Sequence, residues 1–367
     1  MIGYSGIGVS IPLPLRQRNQ EGIAQANIID GRPENALEIL RERTPEKFRN
    51  WEWGYLYAIG QRDDAIISSF DNFHAEFSRD GTAIVVGTST TLTRWDLATL
   101  RLVWSTPLKG RIAWSASFSP DDRIIMATSM DGGVYQLDAV TGKILRRLVG
   151  HRDYLREGNF NPAGTRYATV GADRDVRIWD VESGKNLCTF HAAKNDIYTV
   201  RYSPDGSRLL TASFDKTVVE WNAETGEKIR TIGTFPDRLM GAVYSPDGKR
   251  IATASRDRIF RVFDALDGTQ LLEIPAPEEL PYDVQFSPDS TLLVTTDDSG
   301  RLRVWDATTG KLRGMVWVER QLFKVRFDTT GKRLVTASRT GIRLFSLERI
   351  LADTPLLRPP AKDGSDI

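Results

Sequence analysis

The sequence predicts an all-β protein, a seven-bladed β-propeller with a short α-helical segment in front of it. Two observations predict this fold. First, an aromatic or apolar residue, usually followed by Asp, recurs seven times, with a spacing of 42 residues five times and 40 residues once. These markers are Trp95-Asp96, Leu137-Asp138, Trp179-Asp180, Trp221-Asn222, Phe263-Asp264, Trp305-Asp306 and Phe345-Ser346. Second, each interval contains four short strand patterns, and a lone four-stranded sheet cannot bury its faces, so seven sheets should pack around an axis.

Within each unit the strands are separated by recurring turns. Proline-containing turns, in which Pro presets φ and Asp bonds to its own backbone, occur at residues 119–122, 203–206, 245–248 and 287–290. A strand of small residues follows, as at 210–213 and 251–255, and then an alternating strand such as 176–179. A Gly-containing hairpin turn, as at 225–227, leads to the fourth strand.

These units resemble the WD-repeat family, whose repeats are about 40–45 residues long, and the resemblance covers residues 65–347. It implies a propeller with a top face, a bottom face and an edge for partners. It also implies that the last blade takes its outer strand from the N-terminal end of the propeller. We therefore expect segment 65–70 to complete the seventh sheet. The alternative segment, 350–357, contains Pro355, which is unfavourable within a sheet.

The His, Ser, Asp and Trp residues of units three and four contain the elements of a hydrolytic triad. The resemblance implies a structural role instead. In WD repeats, a His before the first strand, a Ser or Thr on the second, an Asp in the next turn and a Trp on the third form a hydrogen-bonded chain that stiffens the blade. The corresponding residues are His151, Asp173 and Trp179 in unit three and His191, Ser213, Asp215 and Trp221 in unit four.

Three features make this chain of residues incomplete. Gly171 stands where unit three should have Ser, and His191 lies two residues further from its following turn than His151 does. Units five to seven have no His at all. We expect those three blades to be held together mainly by packing.

The resemblance also implies where a partner binds. One position per unit opens the innermost strand at the top face, near the central channel; it holds Phe73, Trp114, Arg156, Tyr198, Met240, Tyr282 and Phe323. A second top-face position, just before the Asp of each blade, includes Phe214 and Arg256. Aromatic residues, Met and Arg are enriched in protein interfaces, so we expect an exposed ring of these side chains to bind a partner.

The guanidinium groups Arg156, Arg238 and Arg256 indicate an acidic or phosphorylated peptide as the partner of this ring. The alternative is that the aromatic side chains pack on each other and plug the channel.

Outside the repeats, residues 1–15 are expected to be a flexible lead-in and residues 348–367 a partly disordered tail. Residues 16–61 have a helical pattern, with Pro33 near the start of one helix and Trp51 and Trp53 in another. This segment resembles the tetratricopeptide-like segment that joins kinase domains to WD repeats in some bacterial Ser/Thr kinases. The glycine-rich loop, the His-Arg-Asp motif and the Asp-Phe-Gly motif of a kinase are absent from the sequence.

Composition excludes several functions. A net charge of +1 gives no global field for nucleic acid, and no apolar run is long enough for a membrane helix. The single cysteine, Cys188, follows a strand pattern and is expected to be a packed thiol in a reducing compartment, the cytoplasm. With three histidines in the chain, we expect no metal site, no cofactor and no catalytic residue.

The sequence therefore predicts a monomeric, non-catalytic scaffold that binds a protein or peptide on the top face of the propeller. Two alternatives stay open. One is a sensor or regulatory part of a bacterial Ser/Thr kinase-type signalling system. The other is a propeller hydrolase, although the predicted channel mouth has few acidic residues, among them Asp196 and Asp298.

Overall fold

The computed structural model describes residues 65–68, 72–108, 113–276, 280–318, 321–338 and 341–352. Over these ranges the chain forms 28 β-strands and one short α-helix. The strands pair into seven antiparallel sheets of four strands each, which we call blades. The predicted lead-in 1–15 and helical segment 16–61 lie outside the described residues, as does the tail from residue 353 onward.

The strands follow the predicted repeat. The outer strand of the last blade is β1 (Ala65–Ser68). Blades one to three are β2 (Asn72–Phe77), β3 (Ala83–Thr88), β4 (Thr91–Asp96), β5 (Arg101–Pro107); β6 (Ala113–Phe118), β7 (Ile124–Ser129), β8 (Val134–Asp138), β9 (Ile144–Leu148); β10 (Leu155–Phe160), β11 (Arg166–Gly171), β12 (Asp175–Asp180), β13 (Asn186–His191).

Blades four to seven repeat this order from the innermost to the outermost strand. They are β14 (Ile197–Tyr202), β15 (Arg208–Ser213), β16 (Thr217–Asn222), β17 (Lys228–Thr234); β18 (Leu239–Tyr244), β19 (Arg250–Ser255), β20 (Ile259–Asp264), β21 (Gln270–Pro275); β22 (Pro281–Phe286), β23 (Leu292–Asp297), β24 (Arg301–Asp306), β25 (Leu312–Trp317); β26 (Leu322–Phe327), β27 (Arg333–Ser338), β28 (Gly341–Ser346).

The ring is closed by the first strand of the described chain. Strand β1 pairs antiparallel with β28, with Ala65 opposite Leu344, and the first strand of each blade contacts that of the next, including β26 with β2. The prediction that segment 65–70 completes blade seven is thus confirmed for residues 65–68. The alternative segment 350–357 begins inside a helix, α1 (Leu347–Ala352), and not in a strand.

Helix α1 takes the place of the hairpin turn that the other blades have. In blades two to six, the hairpin glycine packs on the outer strand of the preceding blade, as Gly226 does on Cys188. On β25 of blade six, the position in register with Cys188 is Gly314, and a Cβ added there would lie 2.8 Å from the carbonyl oxygen of Ile350 in α1. The side chain is missing at Gly314 because the helix backbone approaches there.

The hydrophobic core lies between adjacent blades. Val170 and Ile178 of blade three pack in one cluster with Leu209 of blade four. Ile84 of blade one packs in another cluster with Leu344 of blade seven, across the point of closure. Each blade therefore buries its faces against two neighbours, which is why one sheet alone would not fold. Truncating one of these buried side chains to Ala costs about 2–5 kcal/mol.

In two blades, the turn between the first and second strands carries a non-glycine residue at positive φ. The turn between the first two strands ends in glycine in most blades, but in Asp122 (φ 57°) and Ser290 (φ 64°) in blades two and six. The Asp122 carboxylate accepts hydrogen bonds from the backbone of Arg79 (2.8 Å) and Asp80 (3.0 Å) in blade one. The Ser290 hydroxyl accepts one from the backbone of Asp247 (3.1 Å). Contacts between blades thus offset the strain of these conformations.

Candidate functional site

A β-bulge opens the innermost strand of every blade. In all seven of these strands the pairing register shifts between the first and the third residue. The residue inside each bulge is the one predicted to bind a partner: Phe73, Trp114, Arg156, Tyr198, Met240, Tyr282 and Phe323. Bulges of this kind redirect a side chain out of the regular alternation. We call these seven residues, together with Phe214 and Arg256, the mouth cluster.

The aromatic members of the mouth cluster form a chain of contacts around the channel. The ring of Phe323 lies 5.4 Å from that of Tyr282 and 5.8 Å from that of Phe73. Phe73 in turn lies 5.1 Å from Trp114, and in blade four Tyr198 stacks on Phe214 at 5.5 Å. Rings from five blades thus contribute, and edge-to-face and stacked pairs of this kind stabilise an aromatic cluster.

Arg156 joins the two aromatic groups. Its guanidinium carbon lies 5.1 Å from the ring of Trp114 and 5.5 Å from that of Tyr198, within the range of cation–π attraction. The same guanidinium donates to the hydroxyl of Tyr154 at 3.2 Å and to Asp196 at 3.4 Å. Asp196, one of the acidic residues predicted near the mouth, is therefore already partnered.

The expected exposed ring of side chains is wrong in part. Phe73, Tyr198 and Met240 are buried, with 9%, 8% and 3% of their surface exposed, and the other members of the mouth cluster are half-buried. The aromatic rings contact each other because each bulge turns its side chain toward its neighbours. Much of the alternative, a self-packed mouth, is therefore what the structure contains.

Three polar atoms of the mouth cluster are buried and have no hydrogen-bond partner among the described residues. They are the indole Nε1 of Trp114 and the Nε atoms of Arg156 and Arg256. All three are donors. An unpaired buried donor costs about 1–3 kcal/mol of stability. Acceptor oxygens that reached the mouth cluster would therefore form hydrogen bonds that the described residues do not supply.

Below the mouth, the channel is crossed by an ionic cluster that the sequence analysis did not identify. Glu157 of blade three accepts from Arg201 of blade four at 2.7 Å and from Lys324 of blade seven at 3.3 Å. Arg326 of blade seven donates to Asp283 of blade six at 2.6 Å. These residues occupy the third and fifth positions of the innermost strands. Reading those positions across all units would have revealed charged residues of both signs in blades one, three, four, six and seven.

Some side chains at the third position of the innermost strands also accept hydrogen bonds from backbone N–H groups of the next blade. The carboxylate of Glu157 accepts from the backbone of Val200 at 3.3 Å, and that of Asp283 accepts from Val325 at 3.1 Å. His74 accepts from the backbone of Ala116 through Nδ1 at 3.3 Å. Because an inner edge strand has N–H groups that its own sheet does not use, side chains from the preceding blade serve as their acceptors.

Two carboxylates of the channel have pKa values shifted in opposite directions. Burial raises the pKa of Glu76 to about 7, against the opposing influence of Arg326 and Arg201, although its side chain keeps 29% of its surface exposed. Burial also works to raise the pKa of Asp283, but Lys324 and Arg326 outweigh it and lower the pKa overall. The cations therefore keep Asp283 charged, while Glu76 exchanges its proton near neutrality.

Blade three contains a complete hydrogen-bonded chain. Trp179 Nε1 donates to the hydroxyl of Thr169 at 2.8 Å, that hydroxyl lies 2.8 Å from His151 Nε2, and His151 Nδ1 lies 2.8 Å from the Asp173 carboxylate. A carboxylate only accepts, so Nδ1 carries a proton, and in the neutral imidazole Nε2 accepts from Thr169. The gap expected at Gly171 is wrong, because Thr169, two residues earlier, supplies the hydroxyl.

In blade four the expected chain is not assembled. His191 ends the outer strand of blade three and donates to Asp175 there at 3.0 Å, and not to Asp215. Ser213 donates to the backbone carbonyl of Asp196 at 2.9 Å, and Trp221 donates to Thr211 at 2.9 Å. The roles expected of His191 and Ser213 are therefore wrong. The same geometry excludes a triad of His191, Ser213 and Asp215, since these side chains have different partners.

Blades five and six replace histidine with arginine. Asp257 of blade five pairs with Arg261 at 2.7 Å, and Arg261 also contacts Glu273 at 3.1 Å. In blade six, Arg303 donates to the buried Asp297. Each of these two blades thus has a partly buried ion pair in addition to its packed core. That blades five to seven are held mainly by packing stays a prediction.

Among the described residues, no group of three or more His, Cys, Asp or Glu side chains is arranged to hold a metal ion. Over the same part of the chain, the one helix is far too short to cross a membrane.

Comparison with known proteins adds a family. A family model described as the first β-propeller of IFT122 matches residues 112–354. Transducin-like enhancer protein 2 from Mus musculus is 31% identical over 111 residues, which are 29% of this chain and 14% of that protein. Protein groucho from Drosophila melanogaster is 31% identical over 108 residues, 29% of this chain and 15% of that protein. The chain thus spans only a small part of the length of these relatives.

Proposed function

This chain belongs to the family of IFT122 first β-propellers, and from that premise we propose that it is a non-catalytic scaffold that binds a peptide segment of a partner protein at the mouth of its channel. The observation that carries the proposal is the set of unpaired donors on Trp114, Arg156 and Arg256. Seven bulges direct side chains to this one place, and two of the three unpaired donors, those of Trp114 and Arg156, belong to bulge residues.

The chemistry of the donors supports a partner with acceptor oxygens. A carboxylate, a phosphate or a backbone carbonyl that reaches these groups removes the cost of leaving them unpaired. Because Arg156 and Arg256 are cationic, a negatively charged acceptor forms shorter and stronger hydrogen bonds than a neutral one. An acidic or phosphorylated peptide therefore fits best. Binding requires the half-buried rings of Trp114 and Tyr282 to shift outward, since the donors lie beneath the surface.

A propeller hydrolase is less well supported. The two acidic residues predicted near the mouth have partners: Asp196 accepts from Arg156 and Tyr154, and Asp298 interacts with Tyr282 and so raises its pKa, after the larger effect of burial. A general base needs to reach a substrate proton with a free lone pair in the right place. Engaged in this way, these carboxylates are poorly placed for such a role.

Two substitutions of Trp114 test the proposal. We expect Trp114→Ala to weaken the binding of the captured partner by about 2 kcal/mol. Trp114→Phe keeps a ring but removes the unpaired donor, so we expect it to stabilise the free protein while weakening binding by about 1 kcal/mol. Partners are captured by affinity purification with mass spectrometry, and their affinities are then measured by titration.

Trp104→Ala is the matched control, because Trp104 is a half-buried tryptophan on the outer strand β5, where it packs against the Gly142 turn. It should retain the partner. Equal losses for Trp104→Ala and Trp114→Ala, or no loss for either, would exclude the mouth as the binding site.

A further inference from the structure

Six exposed cations lie on the top face of three consecutive blades. Blades three, four and five each have one exposed cation in the loop before the innermost strand and one in the turn between the second and third strands. We call this set the basic crescent: Arg152, Arg174, Lys194, Lys216, Arg238 and Arg258, all of them exposed. The crescent begins beside the mouth cluster, since the Arg238 guanidinium lies 5.3 Å from the ring of Phe214.

Three cations of the crescent occupy a backbone conformation that disfavours them. Arg174, Lys216 and Arg258 have φ values of 68°, 73° and 69°. In blades two and six, the corresponding turns place Gly132 and Gly300 at positive φ. A residue with a side chain costs about 1 kcal/mol more than glycine in this region. The Lys216 ammonium donates to the carbonyl oxygen of Pro236 at 2.7 Å. The recurrence of a long cation at this position in three adjacent described blades indicates that the side chains have a use that outweighs the strain.

The crescent has limits within the described part of the top face. In the turn between the second and third strands, blade two has Asp131 and Gly132, blade one has Ser89 and Thr90, and blade six has Asp298 to Gly300. None of these described turns contains a cation. Among these described turns, exposed cations are therefore confined to blades three, four and five.

Carboxylates near the crescent already have partners within the protein, and one of them, Asp175, lies 3.6 Å from the Arg152 guanidinium. Asp215 accepts from the backbone of Lys194 at 2.8 Å, and Asp237 accepts from the backbone of Arg238 at 2.7 Å. Asp173 accepts from His151 and from the backbone of Arg152 at 3.1 Å. Because these acids are close by, the crescent acts on a ligand at contact distance and contributes little long-range field.

We propose that the basic crescent binds an acidic segment of the partner protein, which extends from the mouth cluster outward over blades three, four and five. This inference rests on the proposed function, since it assigns to the mouth and the crescent two adjoining parts of one peptide. The part at the mouth places acceptors beside Trp114 and Arg156. The part over the crescent carries carboxylates or phosphates that pair with the cations.

The structure favours a protein segment over nucleic acid. Proteins that bind single-stranded nucleic acid offer free aromatic faces on which bases stack. Here Tyr198 and Phe214 stack on each other, and Arg238 covers Phe214 as well. The rings beside the crescent are thus already occupied by side chains, so the cations offer charge without a stacking surface.

The test uses glycine, the residue that the backbone prefers. The triple variant Arg174→Gly, Lys216→Gly, Arg258→Gly removes three charges, relieves strain and loses the hydrogen bond from Lys216 to Pro236. Because these effects oppose each other, it should melt close to the temperature of the wild type. The matched control Lys143→Ser, Lys185→Ser, Lys311→Ser removes three exposed cations from hairpin turns at the opposite end of the blades. The probes are fluorescein-labelled hexaglutamate and hexaglutamine peptides and a labelled 12-nucleotide oligothymidine, measured by fluorescence anisotropy at 50 mM salt.

We expect the wild type and the control to bind hexaglutamate more tightly than hexaglutamine, and the triple glycine variant to lose about tenfold in affinity for hexaglutamate. Unchanged affinity in the glycine variant overturns the inference. Tighter binding of oligothymidine than of hexaglutamate, with the same dependence on the three cations, overturns it in favour of nucleic acid.

Trp114→Ala, tested in parallel with the captured partner, separates this inference from the proposed function. A loss at Trp114 without any loss in the glycine variant rejects the crescent and keeps the mouth. The reverse result keeps an acidic ligand on the crescent and rejects the mouth.

Discussion

Units three and four share the His, Thr, Asp and Trp residues of a WD-repeat hydrogen-bonded chain, and yet these residues form different hydrogen bonds. In blade three, His151 connects Asp173 to Thr169, and Thr169 receives the indole of Trp179. In blade four, the Trp–Thr bond is present between Trp221 and Thr211, but no histidine extends it. The difference arises from two residues of loop: His151 precedes its innermost strand by four positions and His191 by six.

Whether the chain of hydrogen bonds forms therefore depends on the distance of the histidine from its strand and not on which residue types are present. Two additional residues place His191 at the end of the outer strand of blade three, where its partner is Asp175. The carboxylate of Asp215 then binds the backbone of Lys194 and the hydroxyl of Thr217 instead. The stability of the two blades should therefore depend on different residues, and four predictions follow in decreasing order of effect.

Substitution of His151 should have the largest effect. Its side chain is buried and joins two polar partners. His151→Ala therefore removes one hydrogen bond from the Asp173 carboxylate and one from the Thr169 hydroxyl. We expect a loss of about 3 kcal/mol in the free energy of unfolding, measured by urea denaturation. A loss below about 1 kcal/mol would show that water replaces the imidazole at no great cost.

Removal of the hydroxyl should cost more in blade three than in blade four. The Thr169 hydroxyl has two side-chain partners, whereas that of Thr211 receives the Trp221 indole. We expect Thr169→Val to cost about 2 kcal/mol and Thr211→Val about 1 kcal/mol by the same measurement. Equal costs would mean that the bond to His151 contributes nothing to stability.

The network of blade three should also make stability depend on pH in acid. Burial works to raise the pKa of Asp173, but the hydrogen bond from His151 and those from the backbone lower it overall. A carboxylate with a lowered pKa stabilises the fold above its unfolded pKa, about 4, and this contribution is lost as the pH falls below that value. Asp173→Asn should therefore flatten the decline in stability between pH 5 and 3, in scans of melting temperature against pH. An unaltered slope would contradict this account.

Substitution of His191 should have the smallest effect. Its side chain is mostly exposed, and its bond to Asp175 lies at the outer edge of the blade. We expect His191→Ala to change the free energy of unfolding by less than about 0.5 kcal/mol. A cost similar to that of His151→Ala would show that the two histidines are equivalent after all.

The sequence predicted the repeat more reliably than the contacts. The resemblance to WD repeats, the seven blades and the closing strand at 65–68 are confirmed, because the 42-residue period and the turn residues are local signals. The same repeat register predicted which residues lie at the mouth. It did not predict that several of them are buried, because burial depends on how bulges in neighbouring blades face each other. The resemblance of residues 16–61 to a kinase linker stays a prediction.

The channel shows why other features were missed. Glu157 and Lys324 lie 167 positions apart in the chain, and no local pattern relates residues that meet only when the ring is closed. Thr169 was missed for a simpler reason: the hydroxyl was sought at the position of Gly171, although the Trp–Thr spacing of ten residues recurs in blades three, four and six.

The pairing of β1 with β28 has a consequence for biosynthesis. Ala65 leaves the ribosome long before Leu344, its partner in the sheet. Six blades consist of consecutive strands and can form as they emerge, but β1 must wait for translation of the last repeat. Until then, blades one and six each have a face without its neighbour, so the growing chain exposes apolar surface at both ends of an open arc. Chaperones that act on nascent chains would find their binding sites there.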